Sequence, residues 1–223
     1  MDKRYLSKND FIRWRSCPTA AHHGWAGMPS RNDNDAFLQF LAEEGKIIGK
    51  AAQRLFSGGQ LIKDCDPKPA AELTRQELSG GDVTLFEGCT IDGDFAVRPD
   101  ILVKRGETIY LIEVKSKVGN LHAHREGRML INYYGDVRAA WREIVNDITF
   151  QVEVLSRAFP DCFIVPYLLL PEGSSVARSE EIEAVMASDF SQPHSEAELR
   201  GRRQASVLKF FPVSLAVDCH FAG

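Results

Sequence analysis

The chain has 223 residues, of which 44% are hydrophobic and 26% are charged, as expected for one large globular domain with ample sequence for a core. No apolar run approaches the ~20 residues of a membrane span, and the first residues lack the apolar stretch of a signal peptide, so we expect a cytoplasmic protein without a membrane partner. The net charge of −4 provides no global basic field for coating nucleic acid, and five scattered cysteines form neither a disulfide framework nor a Cys-X-X-Cys zinc pair.

The first predicted element is a helix that begins after Ser7. Ser7 can cap it, and Asp10 three residues later comes close to completing a capping box. Phe11 begins its apolar face. The helix should end before Pro18, because the residue before a proline resists helical geometry. We therefore expect residues 1–34 to form an N-terminal helical element.

A longer helix is predicted over residues 36–56. Gly45 and Gly49 lie four residues apart on one face, which permits close packing of this helix on a sheet. Glu43 and Glu44 fit a solvated helix surface. The apolar residues that recur at helical spacing are Phe37, Phe40, Leu41, Ile47, Ile48, Ala51, Ala52 and Leu55.

Strand patterns begin after this helix. Leu61 and Ile62 predict a short strand, residues 70–78 predict an amphipathic helix, and residues 83–90 predict a first long strand. Asp92-Gly93 is a turn signal that precedes the next strand.

Residues 95–117 contain the pattern on which the functional interpretation depends. Runs rich in Val, Ile and Leu over 95–103 and 108–116 flank Gly106-Glu107, whose Gly-X order favours a two-residue type II′ turn. Counting outward from this turn predicts three facing pairs: Arg105 with Thr108, Val103 with Tyr110, and Asp100 with Glu113.

The facing acids Asp100 and Glu113 need an explanation. Opposed side chains in an antiparallel pair lie roughly 5 Å apart at Cβ, so two carboxylates there repel each other. A bound divalent cation is the simplest remedy, because Mg²⁺ is held by one or two carboxylates together with phosphate oxygens. Lys115 points to the same face of its strand as Glu113. The hairpin should therefore present Asp, Glu and Lys together.

The remaining pattern indicates a connection, a crossover helix and a buried strand. The connection over residues 117–132 is basic, and a solvated surface is its simplest interpretation. Tyr133 and Tyr134 suit stacking on bases and core packing equally well. A helix is predicted over 139–158, and the apolar run 162–170 fits a buried central strand. Three later elements are the short helices 182–186 and 196–202 and a strand over 207–217.

Asp100, preceded by Pro99 and followed by Glu113-Val114-Lys115, resembles the signature of the PD-(D/E)XK nuclease superfamily. The surrounding sequence is similar to the RecB-like branch, near the CRISPR-associated exonucleases and an uncharacterised bacterial relative of them. The resemblance covers roughly residues 5–170. It implies an α/β fold with a restriction-endonuclease-like core of order αβββαβ, in which helices flank a central mixed sheet.

The resemblance assigns roles to individual residues. Asp100 and Glu113 would bind Mg²⁺ or Mn²⁺ with the Val114 carbonyl as a further ligand, and Lys115 would orient or activate the attacking water. Gln151, which lies four residues after Asp147 on one helix face, would contribute to the site or contact DNA. The implied function is a metal-dependent DNA nuclease of the exonuclease type.

Several departures from the family pattern favour a second interpretation. Gly49 stands where many relatives carry a metal-binding His, for which Glu44 could substitute, and Leu155 stands where a Tyr usually follows the Gln. The alternative is therefore a catalytically inactive nucleic-acid-binding or assembly protein that retains the fold. A small-molecule hydrolase is less favoured, since no Gly-X-Ser-X-Gly motif is present.

The cysteines and the chain end complete these expectations. Cys17 corresponds to an iron–sulfur ligand of some relatives, but Cys162 and Cys219 do not complete a compact ligand group, so we expect no cluster and a small buried thiol at Cys17. We expect one domain over 1–223 with its core at about 35–170. Residues 171–223 would be an extension, shortened relative to the bacterial relatives or completed by a missing region or a protein partner.

Overall fold

The computed structural model describes residues 4–28, 35–56, 58–173, 208–214 and 216–217. The predicted helices at 182–186 and 196–202 lie outside these residues. In chain order the elements are α1 (Lys8–Ser16), α2 (Pro18–Trp25), α3 (Ala36–Gln53), β1 (Gln60–Leu61), α4 (Pro67–Ser79), β2 (Val83–Phe86), β3 (Thr90–Asp92), β4 (Phe95–Val97), β5 (Ile101–Arg105), β6 (Thr108–Val114), α5 (Leu121–Arg125), α6 (Arg142–Ala158), β7 (Phe163–Pro171) and β8 (Leu208–Pro212).

The predicted start of α1 is confirmed. Asp10 N donates to Ser7 Oγ at 3.2 Å, and Ser7 N donates to Asp10 Oδ2 at 3.0 Å, so the capping box is complete. Pro18 ends α1 and begins α2. A proline is tolerated at the first position of a helix, because the N–H groups there have no helical acceptor. The prediction of a buried thiol at Cys17 is wrong, because this residue lies exposed between the two helices.

The central sheet has the strand order β1-β2-β5-β6-β7-β8 among the described strands. β1 runs parallel to β2 and β6 parallel to β7, whereas the other neighbours are antiparallel. α6 connects the parallel strands β6 and β7, as a parallel pair requires. The predicted α/β class, with a central mixed sheet and flanking helices, is thus confirmed.

The β5–β6 hairpin has the predicted register. Arg105 faces Thr108 and Val103 faces Tyr110. Gly106 adopts a φ of 55°, the left-handed value that a type II′ turn needs at its first central position. The pairing continues in step to Ile101 and Ile112 at the far end of β5. The site described below lies at that end of the hairpin.

Two strands that were predicted as continuous are broken. The strand 83–90 ends at Phe86, because Glu87 turns the backbone with a φ of 56°. The strand 95–103 is interrupted around Pro99, which has no N–H to donate to a sheet ladder. Their separated parts β3 and β4 form a two-stranded sheet of their own.

The two faces of the central sheet carry separate apolar layers. Leu102 and Leu111 are buried on the face that α6 covers. Ile101 and Ile112 are buried on the opposite face, with Leu55 just after α3. This division follows from the alternation of side chains along β5 and β6. By the same alternation Glu113 and Lys115 lie on the α6 face.

The close packing that the glycines of α3 permit is not present among the described residues. Apart from the adjacent residues and the helix's own backbone, no described atom lies within 4 Å of the position that a Cβ on Gly45 or Gly49 would occupy. Both glycines instead line an open cavity beside the sheet. Among the described residues α3 is anchored through its last turns, since Ala52 is buried whereas Phe37 is 66% exposed.

Candidate active site

The end of the β5–β6 hairpin brings Asp100 to the carboxyl end of β6. Asp100 directly precedes β5, and one step beyond the Ile101–Ile112 pair places it opposite Glu113. The Val114 N–H donates to Asp100 Oδ2 at 2.7 Å, which holds the carboxylate against β6. The predicted juxtaposition of Asp100, Glu113 and Val114 therefore exists in the fold.

Glu113 is the most heavily bonded side chain at this point. It is only 1% exposed, and its Oε1 accepts hydrogen bonds from Lys115 Nζ at 2.8 Å and from Lys8 Nζ at 2.7 Å. Its Oε2 accepts from Gln151 Nε2 at 2.9 Å. Both carboxylate oxygens thus have protein donors, which allows this charge to be buried.

Helix α6 adds two further residues. Asp147 and Gln151 lie one helical turn apart, and Gln151 Nε2 donates to Asp147 Oδ1 at 2.8 Å. Asp147 Oδ2 accepts from Lys115 Nζ at 2.7 Å. Gln151 is fully buried, and its amide links Asp147 on α6 to Glu113 on β6. The predicted site residue Gln151 is therefore in contact with the site.

Lys8 is one of two residues of this region that sequence reasoning missed. Its amine lies 3.8 Å from Asp147 Oδ1 in addition to its contact with Glu113. Helix α1 positions Lys8 next to Glu113, because Phe11, three residues later, stacks on Phe150 of α6 with ring centroids 4.7 Å apart. The Ser7 capping box identified Lys8 as the first helical residue, but no local pattern indicated its distant partners.

The charged cluster is the set Lys8, Asp100, Glu113, Lys115 and Asp147. Burial, reinforced by the charge of Glu113, raises the pKa of Asp100 to about 7. Burial opposes the charge of Glu113, but the two lysines prevail and lower the pKa of Glu113 to about 2. Burial and the Glu113 charge also raise the pKa of Asp147. Asp100 is the acid whose negative charge is least compensated.

Both lysines of the charged cluster stay protonated. Burial opposes the ammonium form of Lys115, but the neighbouring carboxylates Glu113 and Asp147 outweigh it and raise its pKa. The same balance raises the pKa of Lys8. At neutral pH each side chain is therefore a fixed positive charge and a hydrogen-bond donor. Neither lysine can serve as a proton-accepting base in this arrangement.

A strained acidic residue lies beside Asp100. Glu87 has a φ of 56°, and its N–H donates to the Asp100 carbonyl at 3.0 Å. Burial raises its pKa, against the opposing charge of Arg98. Glu87, Asp100 and Val114 line a cavity of about 610 Å³ together with the open face of α3. Sequence reasoning missed Glu87 because it assumed that the strand continued.

The donor set suits a hard divalent cation. Among the described residues, no group of three or more His, Cys, Asp or Glu side chains is arranged to hold a metal ion. A cation here would rely on Asp100 and Glu113, a backbone oxygen such as that of Val114, and water or phosphate oxygens. Mg²⁺ and Mn²⁺ accept such sets of oxygen donors. To reach Glu113, a cation would have to compete with Lys8 and Lys115.

Comparison with known proteins identifies no family for this chain. The chemistry of the site is therefore inferred from its own residues. None of the described helices is both long enough and apolar enough to cross a membrane. Neither a scan of protein-family models nor a search of curated protein sequences returns a match to the chain.

Proposed function

We propose that the protein is a metal-dependent nuclease that hydrolyses phosphodiester bonds of DNA in the cytoplasm. The observation that carries the proposal is the convergence of Asp100, Glu113 and Lys115 at one end of the β5–β6 hairpin, with Gln151 bonded to Glu113. An ordinary surface hairpin has no reason to bury two carboxylates beside each other. A site that binds a divalent cation has such a reason, because the cation is held by the paired carboxylates.

The order of elements supports a restriction-endonuclease-like core. Apart from β1 and α4, which come before β2, and α5, which comes after β6, helix α3 is followed by β2, β5 and β6, then by the crossover helix α6 and by β7. This is the αβββαβ order that the resemblance to RecB-like nucleases implies, with the small β3–β4 sheet inserted between β2 and β5. Asp100 directly precedes β5 and Glu113 lies near the end of β6, which agrees with the positions that this signature gives to its two acids.

Each residue has a distinct task in the proposed reaction. Asp100, Glu113 and the Val114 carbonyl would hold Mg²⁺ or Mn²⁺, which would make water more acidic and neutralise charge on the phosphate. Lys115 stays protonated, so it would stabilise developing negative charge and orient water rather than take a proton. Gln151 would position Glu113 through their hydrogen bond.

The test is an assay of the purified protein on linear and circular DNA, each single- and double-stranded. We expect cleavage with Mg²⁺ or Mn²⁺ and none with EDTA, and attack on linear substrates alone would identify an exonuclease. Asp100→Asn and Lys115→Ala should abolish cleavage while circular dichroism remains unchanged. Full activity in either variant would refute the assigned roles.

The second candidate is a nucleic-acid-binding protein without turnover. It is favoured by the saturation of Glu113, whose two oxygens already accept bonds from Lys8, Lys115 and Gln151. The open space at Gly49, where relatives carry a further ligand, points the same way. Such a protein would bind DNA but show no product across a wide range of Mg²⁺ and Mn²⁺ concentrations.

A further inference from the structure

We infer that an arginine-lined groove beside the charged cluster binds an unpaired nucleic-acid strand, and that two exposed tyrosines stack on its bases. This inference rests on the proposed function in one respect, the identification of the ligand as nucleic acid. Its volume is about 1260 Å³. We call it the arginine groove after its four arginines, Arg15, Arg128, Arg138 and Arg142.

The charge of the arginine groove fits a polyanion. The side chains of Arg15 and Arg142 make no hydrogen bond or ion pair within the described part of the chain, and both residues are exposed. Arg128 pairs with Glu126. Among the described lining residues the only carboxylate is that of Asp136. Clustered exposed arginines on a protein of net charge −4 form a local site for phosphates rather than a general basic surface.

A structured loop presents the tyrosines at the edge of the arginine groove. Tyr133 and Tyr134 are 97% and 85% exposed, so the core-packing alternative is excluded for both. Asn132 Oδ1 accepts from the N–H groups of Tyr134 and Asp136, each at 2.9 Å. An antiparallel bridge between Ile131 and Val137 closes the loop. The tip of the loop is therefore held by specific hydrogen bonds, and its two aromatic rings are exposed to water.

The loop and the arginine groove form one surface. Asn132, Gly135 and Asp136, which flank the tyrosines, are themselves lining residues of the groove. Exposed aromatic rings beside clustered cations are the combination that binds single strands, because rings stack on bases while cations contact phosphates. A base within a duplex is already stacked and paired. The tyrosines can therefore distinguish an unpaired strand from a duplex.

Two helices connect the arginine groove to the charged cluster. Lys8 and Arg15 lie seven positions apart on the same face of α1, a distance of about 10 Å along the axis. Arg142 and Asp147 lie about 8 Å apart along α6. A strand held in the arginine groove would thus reach the charged cluster within a few nucleotides.

The experiment is fluorescence anisotropy with the full chain and a fluorescein-labelled oligothymidylate of roughly 15 nucleotides, in EDTA so that no cleavage occurs. We expect Tyr133→Ala combined with Tyr134→Ala to weaken binding at least about tenfold, and the Phe replacements to preserve it. A duplex of the same length should bind more weakly than the single strand and change little with these variants. Phe163→Ala, an exposed aromatic at the opposite end of the sheet, is the matched control.

The arginines are tested by the salt dependence of the same binding. Arg15→Ala combined with Arg142→Ala should reduce the slope of log affinity against log salt by about 1.4, and Arg105→Ala at the hairpin turn should not. Loss of cleavage with intact binding would count against the proposed nuclease alone. The inference would be overturned by an absence of binding, by tyrosine variants that bind like the wild type, or by equal displacement with polyglutamate, which would indicate an acidic protein partner.

Discussion

The amine of Lys8 lies 2.7 Å from Glu113 Oε1, although the two residues are 105 positions apart in the sequence. The same oxygen accepts a hydrogen bond from Lys115. Helix α1 is therefore part of the candidate active site rather than an appendage to the sheet. Two cations on one carboxylate oxygen make Glu113 the electrostatic centre of the charged cluster.

We expect Lys8→Met to strengthen binding of Mn²⁺ roughly tenfold, because a positive charge next to a ligand carboxylate repels a cation. Isothermal titration calorimetry with Mn²⁺ measures this directly. Lys68→Met, an exposed lysine on α4, is the control and should leave the affinity unchanged. Weaker Mn²⁺ binding in the Lys8 variant would show instead that Lys8 helps to organise the cation site.

Glu113→Gln should lower the free energy of unfolding by about 3 kcal/mol, since it leaves Lys8 and Lys115 with an incomplete counter-charge. Urea denaturation at pH 7 gives the value. Glu107→Gln at the exposed hairpin turn should change it by less than about 0.5 kcal/mol. A Glu113 variant as stable as the wild type would mean that the buried charges are not held by this carboxylate.

The raised pKa of Asp100, about 7, predicts a specific pH dependence of stability. In the metal-free protein the folded state holds the Asp100 proton between about pH 4 and pH 7, whereas the unfolded state has released it. The contribution of Asp100 to stability therefore falls as pH rises through this window and levels off above it. The lowered pKa of Glu113, about 2, has the opposite effect on stability. The stabilisation that Glu113 contributes is lost as pH falls below about 4.

Comparison with Asp100→Asn isolates this contribution. The difference in unfolding free energy between the wild type and the variant, measured by urea denaturation in EDTA, should decrease from pH 4 to pH 7. Other groups, such as Asp147 and His124, titrate in both proteins, so their contributions to the difference in unfolding free energy cancel to first order. A difference that does not change with pH would show that Asp100 ionises normally.

Glu87→Gly should raise the free energy of unfolding by about 1 kcal/mol, because glycine tolerates the φ of 56° that strains a glutamate. The same change should weaken Mn²⁺ binding by removing a carboxylate next to Asp100. Glu87→Gln keeps the strained backbone and removes only the charge, so it should weaken binding without the gain in stability. Thermal melts and Mn²⁺ titrations of both variants separate the two effects.

Local patterns predicted the parts of the site that depend on neighbouring residues. The turn at Gly106 and the alternation along β5 and β6 were sufficient to predict the register, and hence that Asp100 lies opposite Glu113. The spacing of Asp147 and Gln151 predicted that they share one face of α6. Such relationships are set by period and turn geometry, which the sequence expresses directly.

Features set by distant packing could not be predicted in this way. Lys8 reaches Glu113 because Phe11 stacks on Phe150 across two helices, and no local period encodes that contact. The break at Glu87 requires a left-handed backbone that glutamate rarely adopts, so continuation of the strand was the more probable expectation. Gly49 suits close packing by its size, but in the fold it lines an open cavity, and no local pattern indicates this.

The most direct test is the rate at which wild type and Asp100→Asn release fragments from linear DNA at saturating Mn²⁺. We expect the rate to fall by roughly a thousandfold in the variant, because a catalytic cation supplies several kcal/mol of transition-state stabilisation. Asp161→Asn, on an exposed turn, should cleave at the wild-type rate. Equal rates for wild type and Asp100→Asn, or no cleavage by the wild type on any DNA, would contradict the proposed nuclease.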